Sequence, residues 1–150
     1  MRFQDKPGTC GEAAVVNTLR AFGIKLSEKK VCKQTETDEH GTNEFGIMPA
    51  LRYFGLTVEE FKGTKPTISW QWLHGALMHG RVIILCVDSW NHWVAAIGTL
   101  QDRIIIVDSS CTKANQAENG VHVLSRSRLL RRWAMKGGDC KYYGIAAGRN

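Results

Sequence analysis

The 150-residue chain has no apolar run near the roughly 18 residues that a membrane-spanning helix needs. Its start, Met1-Arg2-Phe3-Gln4-Asp5, also lacks the apolar core of a secretory signal. A cytoplasmic protein is therefore expected. Five cysteines, an odd number with no C-x-x-C pair, argue against a disulfide framework and suit a reducing compartment. Cys32, Cys111 and Cys140 lack the Cys/His spacing of a zinc site, and His40, His74, His79 and His122 form no metal-binding pattern on one helix face. Neither a metal nor another cofactor is expected. There is no internal repeat and no linker-like stretch, and 43% hydrophobic content suits one compact domain over residues 1–150.

What is present begins with Cys10, in the stretch Gln4-Asp5-Lys6-Pro7-Gly8-Thr9-Cys10-Gly11-Glu12. Thr9 and Glu12 have the spacing of a capping box, and the apolar positions Val15, Val16, Leu19 and Phe22 continue the pattern to Gly23, a natural stop. Cys10 thus falls at a predicted helix N-terminus. The free N–H groups of a first turn carry about half a positive charge, which favours a thiolate over a thiol. A buried cysteine near a helix cap is more often inert, so the assignment of Cys10 as a nucleophile depends on its partners.

A thiolate nucleophile needs a base that later serves as an acid, commonly an imidazole held by a carboxylate or amide. His92 opens the apolar run His92-Trp93-Val94-Ala95-Ala96-Ile97, and after Gln101-Asp102 a second run, Arg103 to Val107, ends at Asp108. The two runs read as an antiparallel hairpin, which brings His92 and Asp108 to the same end across sixteen positions. Their side chains share a face only if the loop holds an odd number of residues or a strand carries a bulge. The sequence leaves that register open.

Gln4 six residues before Cys10-Gly11, a His92-Trp93-Val94 strand and an aspartate ending the next strand resemble papain-like cysteine peptidases. More narrowly, the order Gln4, Cys10, His92, Asp108 resembles the peptidase domain with which bacteriocin-exporting ABC transporters remove double-glycine leader peptides. The likeness extends to the helix-like stretch from Ser69 to His79 with Gly80, the strand Arg81 to Val87, and the final helix and strand through Trp133 and Tyr142 to Ala146. The resemblance implies that Cys10 attacks a carbonyl, His92 moves the proton, Asp108 orients the imidazole, and Gln4 with the Cys10 N–H forms an oxyanion hole. It implies a peptide or isopeptide substrate cut after small residues such as glycine. Thr9 and Ser109 stand where many relatives carry aspartate and proline, which bears on substrate choice rather than on the reacting atoms.

The predicted order is helices over about 9–22, 27–33 and 43–54, then about five strands, at 56–61, 81–87, 92–100, 103–107 and 141–147. Together with the resemblance, this gives an α+β papain-like fold with N-terminal helices packed on a mostly antiparallel sheet. Residues 34–43 and 112–120 read as loops bordering the cleft, Cys86 as core, Cys111 as a thiol at the site's rim, and Trp93 as a groove-lining residue.

The net charge is +6, with Arg126, Arg128, Arg131, Arg132 and Lys136 concentrated in the last helix. They read first as the solvated face of a helix that buries Leu129, Leu130 and Trp133, and second as a site for an acidic protein partner; nucleic acid is disfavoured. Other thiol hydrolases, acyltransferases and a silent peptide-binding module share such a fold and are the alternatives to a peptidase.

Overall fold

A computed structural model describes residues 10–35, 44–110 and 112–149. Gln4 and Cys111, with the predicted capping residue Thr9 and most of the 34–43 loop, lie outside the described residues. Among the described residues, six helices and six strands follow in the order α1 (Cys10–Ala21), α2 (Glu28–Thr35), α3 (Glu44–Tyr53), β1 (Thr57–Gly63), α4 (Pro66–Met78), β2 (Val82–Val87), β3 (His92–Leu100), β4 (Arg103–Val107), α5 (Lys113–Ala117), β5 (Val121–Leu124), α6 (Arg126–Trp133) and β6 (Tyr142–Gly148). The strands form one antiparallel sheet in the order β1-β6-β2-β3-β4-β5.

The sheet has six strands instead of the expected five. The extra one, β5, is a four-residue edge strand paired to β4, too short for its alternation to register in the sequence. The predicted 112–120 loop also contains a short helix, α5, capped by Thr112, whose side chain accepts a hydrogen bond from the Asn115 N–H. Helices α1 and α3 end as expected, at Gly23 (φ +81°) and Gly55 (φ +93°), in the left-handed region that glycine adopts without a Cβ penalty.

Helices cover both faces of the sheet. On one, Val15, Val16 and Leu19 of α1 and Ile47 and Leu51 of α3 pack against Ile84, Cys86, Trp93, Tyr143 and Ile145. On the other, Leu73 and Leu77 of α4 and Leu129 and Trp133 of α6 pack against Ile83, Leu85, Val94, Ile104 and Ile106. Strand β2 therefore alternates between two cores, and every one of its residues is buried, which explains its unbroken apolar run. Each fully buried Ile or Leu there contributes about 1.5–3 kcal/mol relative to exposure.

Candidate active site

The two cores converge at the start of β3. Cys10, the first residue of α1, approaches from one face of the sheet, while Asp108, just past β4, approaches from the other. His92 lies between them at the strand's first residue.

The open question of register is resolved by a bulge. Near the turn, β3 pairs with β4 as Leu100↔Arg103, Thr99↔Ile104 and Gly98↔Ile105; beyond Ile97 the pairing steps to Ala96↔Ile106 and Ala95↔Val107. Continuing that register sets Asp108 opposite Val94, which shares its face with His92 by the two-residue alternation of a strand. Had the strands paired without the bulge, with Ile97 opposite Ile106, Asp108 would lie opposite Ala95 and face the other way from His92. With it, His92 Nε2 donates to Asp108 Oδ1 across 2.7 Å.

That bond leaves Nδ1 as the imidazole nitrogen for the hydrogen bond between His92 and the Cys10 thiol. Burial raises the pKa of Cys10, but the bond to His92, the Trp93 and Gly11 backbone N–H groups and the imidazolium charge together leave it lowered. For His92 burial acts downward, yet the bonds to Asp108 and Cys10 carry it up to about 9. Opposite shifts on bonded partners favour a thiolate–imidazolium pair at neutral pH. Burial also works against the Asp108 carboxylate, but His92, the Ser110 N–H and Arg132 hold it well below the usual carboxylate range.

Each oxygen of that carboxylate has partners. Oδ1 accepts from His92 and from the Ser110 N–H at 2.9 Å, and Oδ2 accepts from Arg132 Nη2 at 2.8 Å. The backbone that carries it is tied down as well. The Asp108 N–H donates to the Gly120 carbonyl at 2.7 Å, and the Asn115 amide donates to the carbonyls of Asp108 and Ser110 at 2.9 and 2.6 Å. His122 Nε2 in turn donates to Asn115 Oδ1 at 2.6 Å and fixes the orientation of that amide. Asn115, His122 and Arg132 lay outside the predicted site. In the sequence Arg132 reads as part of the solvated face of its helix, yet its side chain is only 27% exposed and is paired with carboxylates.

A pocket of about 530 Å³ opens beside His92 and is lined also by Asp88, Asn91, Asp108, Asn115 and Arg132. Trp93, expected to line a groove, is 6% exposed and packs edge-on to Tyr143 in the core; its neighbour Trp90 is the exposed ring, at 40%. Cys86 is core as expected, its thiol pushed up to about 12 chiefly by burial. Among the described residues no three His, Cys, Asp or Glu side chains form a group that could hold a metal ion, and no helix is long and apolar enough to cross a membrane.

The model of the peptidase C39 family matches residues 1–135. Among solved structures, the peptidase domain of Streptococcus ComA, a bifunctional ABC transporter involved in a quorum sensing pathway, superposes with a TM-score of 0.73 at 16% identity, covering 99% of this chain and 97% of that one. A double glycine motif protease from an AMS/PCAT transporter, in complex with a leader peptide, gives 0.73 at 14% identity over 99% of this chain and 89% of that one. A C39-like peptidase from Bacillus anthracis gives 0.68 at 11% identity over 100% and 94% of the two chains. At such identities the superpositions establish a shared fold. An uncharacterized protein of Methanothermobacter thermautotrophicus is 32% identical over 60 residues, 40% of this chain and 42% of that protein.

Proposed function

The chain belongs to the peptidase C39 family, and from that premise we propose that it hydrolyses a peptide bond through Cys10, His92 and Asp108. The observation that carries the reading is the imidazole bonded on one side to a carboxylate at 2.7 Å and on the other to the Cys10 thiol. Cys10 Sγ, deprotonated by His92, attacks the scissile carbonyl carbon. The tetrahedral oxyanion is received by the Cys10 N–H and the Gln4 side-chain amide, each such donor supplying about 3–4 kcal/mol of transition-state stabilisation. Collapse expels the amine, which takes its proton from His92, and leaves a thioester on Cys10. Water, deprotonated by His92, then attacks the thioester, and the thiolate departs.

A relative of the same fold is a double glycine motif protease bound to a leader peptide, which supports a peptide substrate cut after small residues such as glycine. The whole sequence of steps takes place within residues 1–150 as one domain and in a reducing compartment, which keeps Cys10 as a free thiol.

The test needs no known substrate. Iodoacetamide alkylation of each cysteine, followed by peptide mapping between about pH 5 and 9, is expected to label Cys10 fastest, well below the free-thiol pKa of roughly 8.5. His92→Ala is expected to abolish that advantage. A Cys10 that titrates as a free thiol in the wild type would refute the peptidase reading and favour a silent binding module.

A further inference from the structure

Helix α6 is amphipathic, with Leu129 and Trp133 buried against the sheet and Arg126, Arg128 and Arg131 exposed. Arg132 sits at the border of the two faces, where its guanidinium reaches two carboxylates. Nη2 donates to Asp108 Oδ2 at 2.8 Å and to Asp88 Oδ2 at 3.2 Å, while Nε donates to Asp88 Oδ1 at 3.2 Å. The Asp88 N–H also donates to the Arg132 carbonyl at 3.1 Å. Asp88 opens the turn between β2 and β3, in which Asp88, Ser89 and Trp90 all adopt left-handed backbone (φ +54°, +56° and +72°) before the chain delivers His92. Non-glycine residues rarely hold that conformation unless their surroundings fix it. Arg132 therefore ties the segment entering β3 to the segment leaving β4, the two segments that carry His92 and Asp108.

We propose that Arg132 is a positioning residue: its guanidinium fork holds Asp108 Oδ2 and the Asp88 turn together, so that Asp108 Oδ1 stays aimed at His92 Nε2. This role rests on the function proposed above. The side chain of Asp108 is 6% exposed, so little water can replace a lost partner on Oδ2, and a freed carboxylate could turn either oxygen toward the histidine. Lysine cannot substitute, since one ammonium has no planar fork to engage two carboxylates at once. The remaining arginines of the helix lack this contact.

The experiment is a double-mutant cycle in the intact chain, with the pH dependence of iodoacetamide alkylation at Cys10 as readout and urea melts as the check on folding. Arg132→Gln is expected to slow Cys10 about tenfold near neutral pH and to move the acid limb of its profile up by about half a pH unit or more, because a displaced orienting group costs on this scale. In an Asp108→Asn background the same substitution is expected to add less than about twofold, since Arg132 acts through Asp108. Arg131→Gln, which removes the same charge without touching Asp108, is expected to follow the wild type. Equal effects of Arg132→Gln in the two backgrounds, or an Arg131→Gln effect as large, would overturn the proposal while leaving the Cys10–His92 pair intact. A wild type whose Cys10 behaves as a free thiol overturns the proposed function and this role with it. If Arg132→Gln does not fold, Arg132→Lys takes its place in the cycle, and a Lys variant equal to the wild type sinks the requirement for a fork.

Discussion

Cys10 and Cys86 are both packed into the core on the α1 face of the sheet, and burial pushes both thiols upward, yet they end on opposite sides of a free cysteine. Cys86, the penultimate residue of β2 between the strands that carry Trp93 and Tyr143, meets burial and neighbouring negative charge that raise its pKa. Cys10 meets an imidazole already bonded to a carboxylate, together with two backbone N–H groups. The difference between the two thiols is thus set by partners placed across an element boundary, because burial, the largest influence on each, acts on both in the same direction.

The strongest way to break the contrast is His92→Ala, which should make Cys10 resemble Cys86. Peptide hydrolysis is expected to fall by about ten-thousand-fold or more, as when other nucleophile–base pairs lose the base. Competition assays of kcat/KM on a double-glycine peptide would measure it. Asp108→Ala comes next: it removes the carboxylate that orients the imidazole at 2.7 Å, and the loss in the same assay is expected to be on the order of a thousand-fold.

A smaller and reversible effect follows from pH. The pKa of His92 is raised to about 9, so the imidazolium that the proposed mechanism uses to steady the thiolate and protonate the leaving amine persists below that value and is lost above it. Activity should fall about tenfold per pH unit beyond the basic limb. Stability follows the same sign: the contribution of this raised group is complete below the unfolded histidine pKa of roughly 6.5 and fades as pH climbs through about 9. The depressed Asp108 acts in the opposite direction, adding stability above its unfolded pKa of about 4 that is lost on acidification; melts across pH would separate the two. The smallest effect sharpens the comparison. Cys86→Ala should lower stability by about 1–2 kcal/mol in urea titrations, through lost packing, and leave alkylation of Cys10 unchanged.

Much of this arrangement was legible in the sequence, for reasons visible in particular segments. The 3.6-residue pattern of α1 ran from Cys10 to its glycine stop, and the two apolar runs of β3 and β4 were continuous enough to pair. His92 and Asp108 could be placed at one end of a hairpin because strand geometry leaves few options. Their shared face was not legible, because the bulge residue Ile97 is as apolar as its neighbours; the adjoining Gly98 was the only local hint. Arg132 was hidden for a different reason: among the cationic residues of α6, the one that turns inward is distinguished only by the carboxylates that meet it from just beyond β2 and β4. Strand β5 was missed because four residues carry too little alternation.

The placement of β6 has a temporal consequence. This strand is the last of the described elements, but it lies between β1 and β2, and it carries Tyr143 and Ile145 of the core against which α1 rests. A ribosome delivers residues 142–148 only after both neighbours have emerged, so the sheet is left split while the chain is being made. The hairpin of His92 and Asp108 can close early from local contacts, whereas the sheet between β1 and β2 is complete only once β6 slides into the gap. An unfinished chain therefore carries a sheet with an open seam, and the core beneath α1 gains Tyr143 and Ile145 only when this last of the described strands arrives.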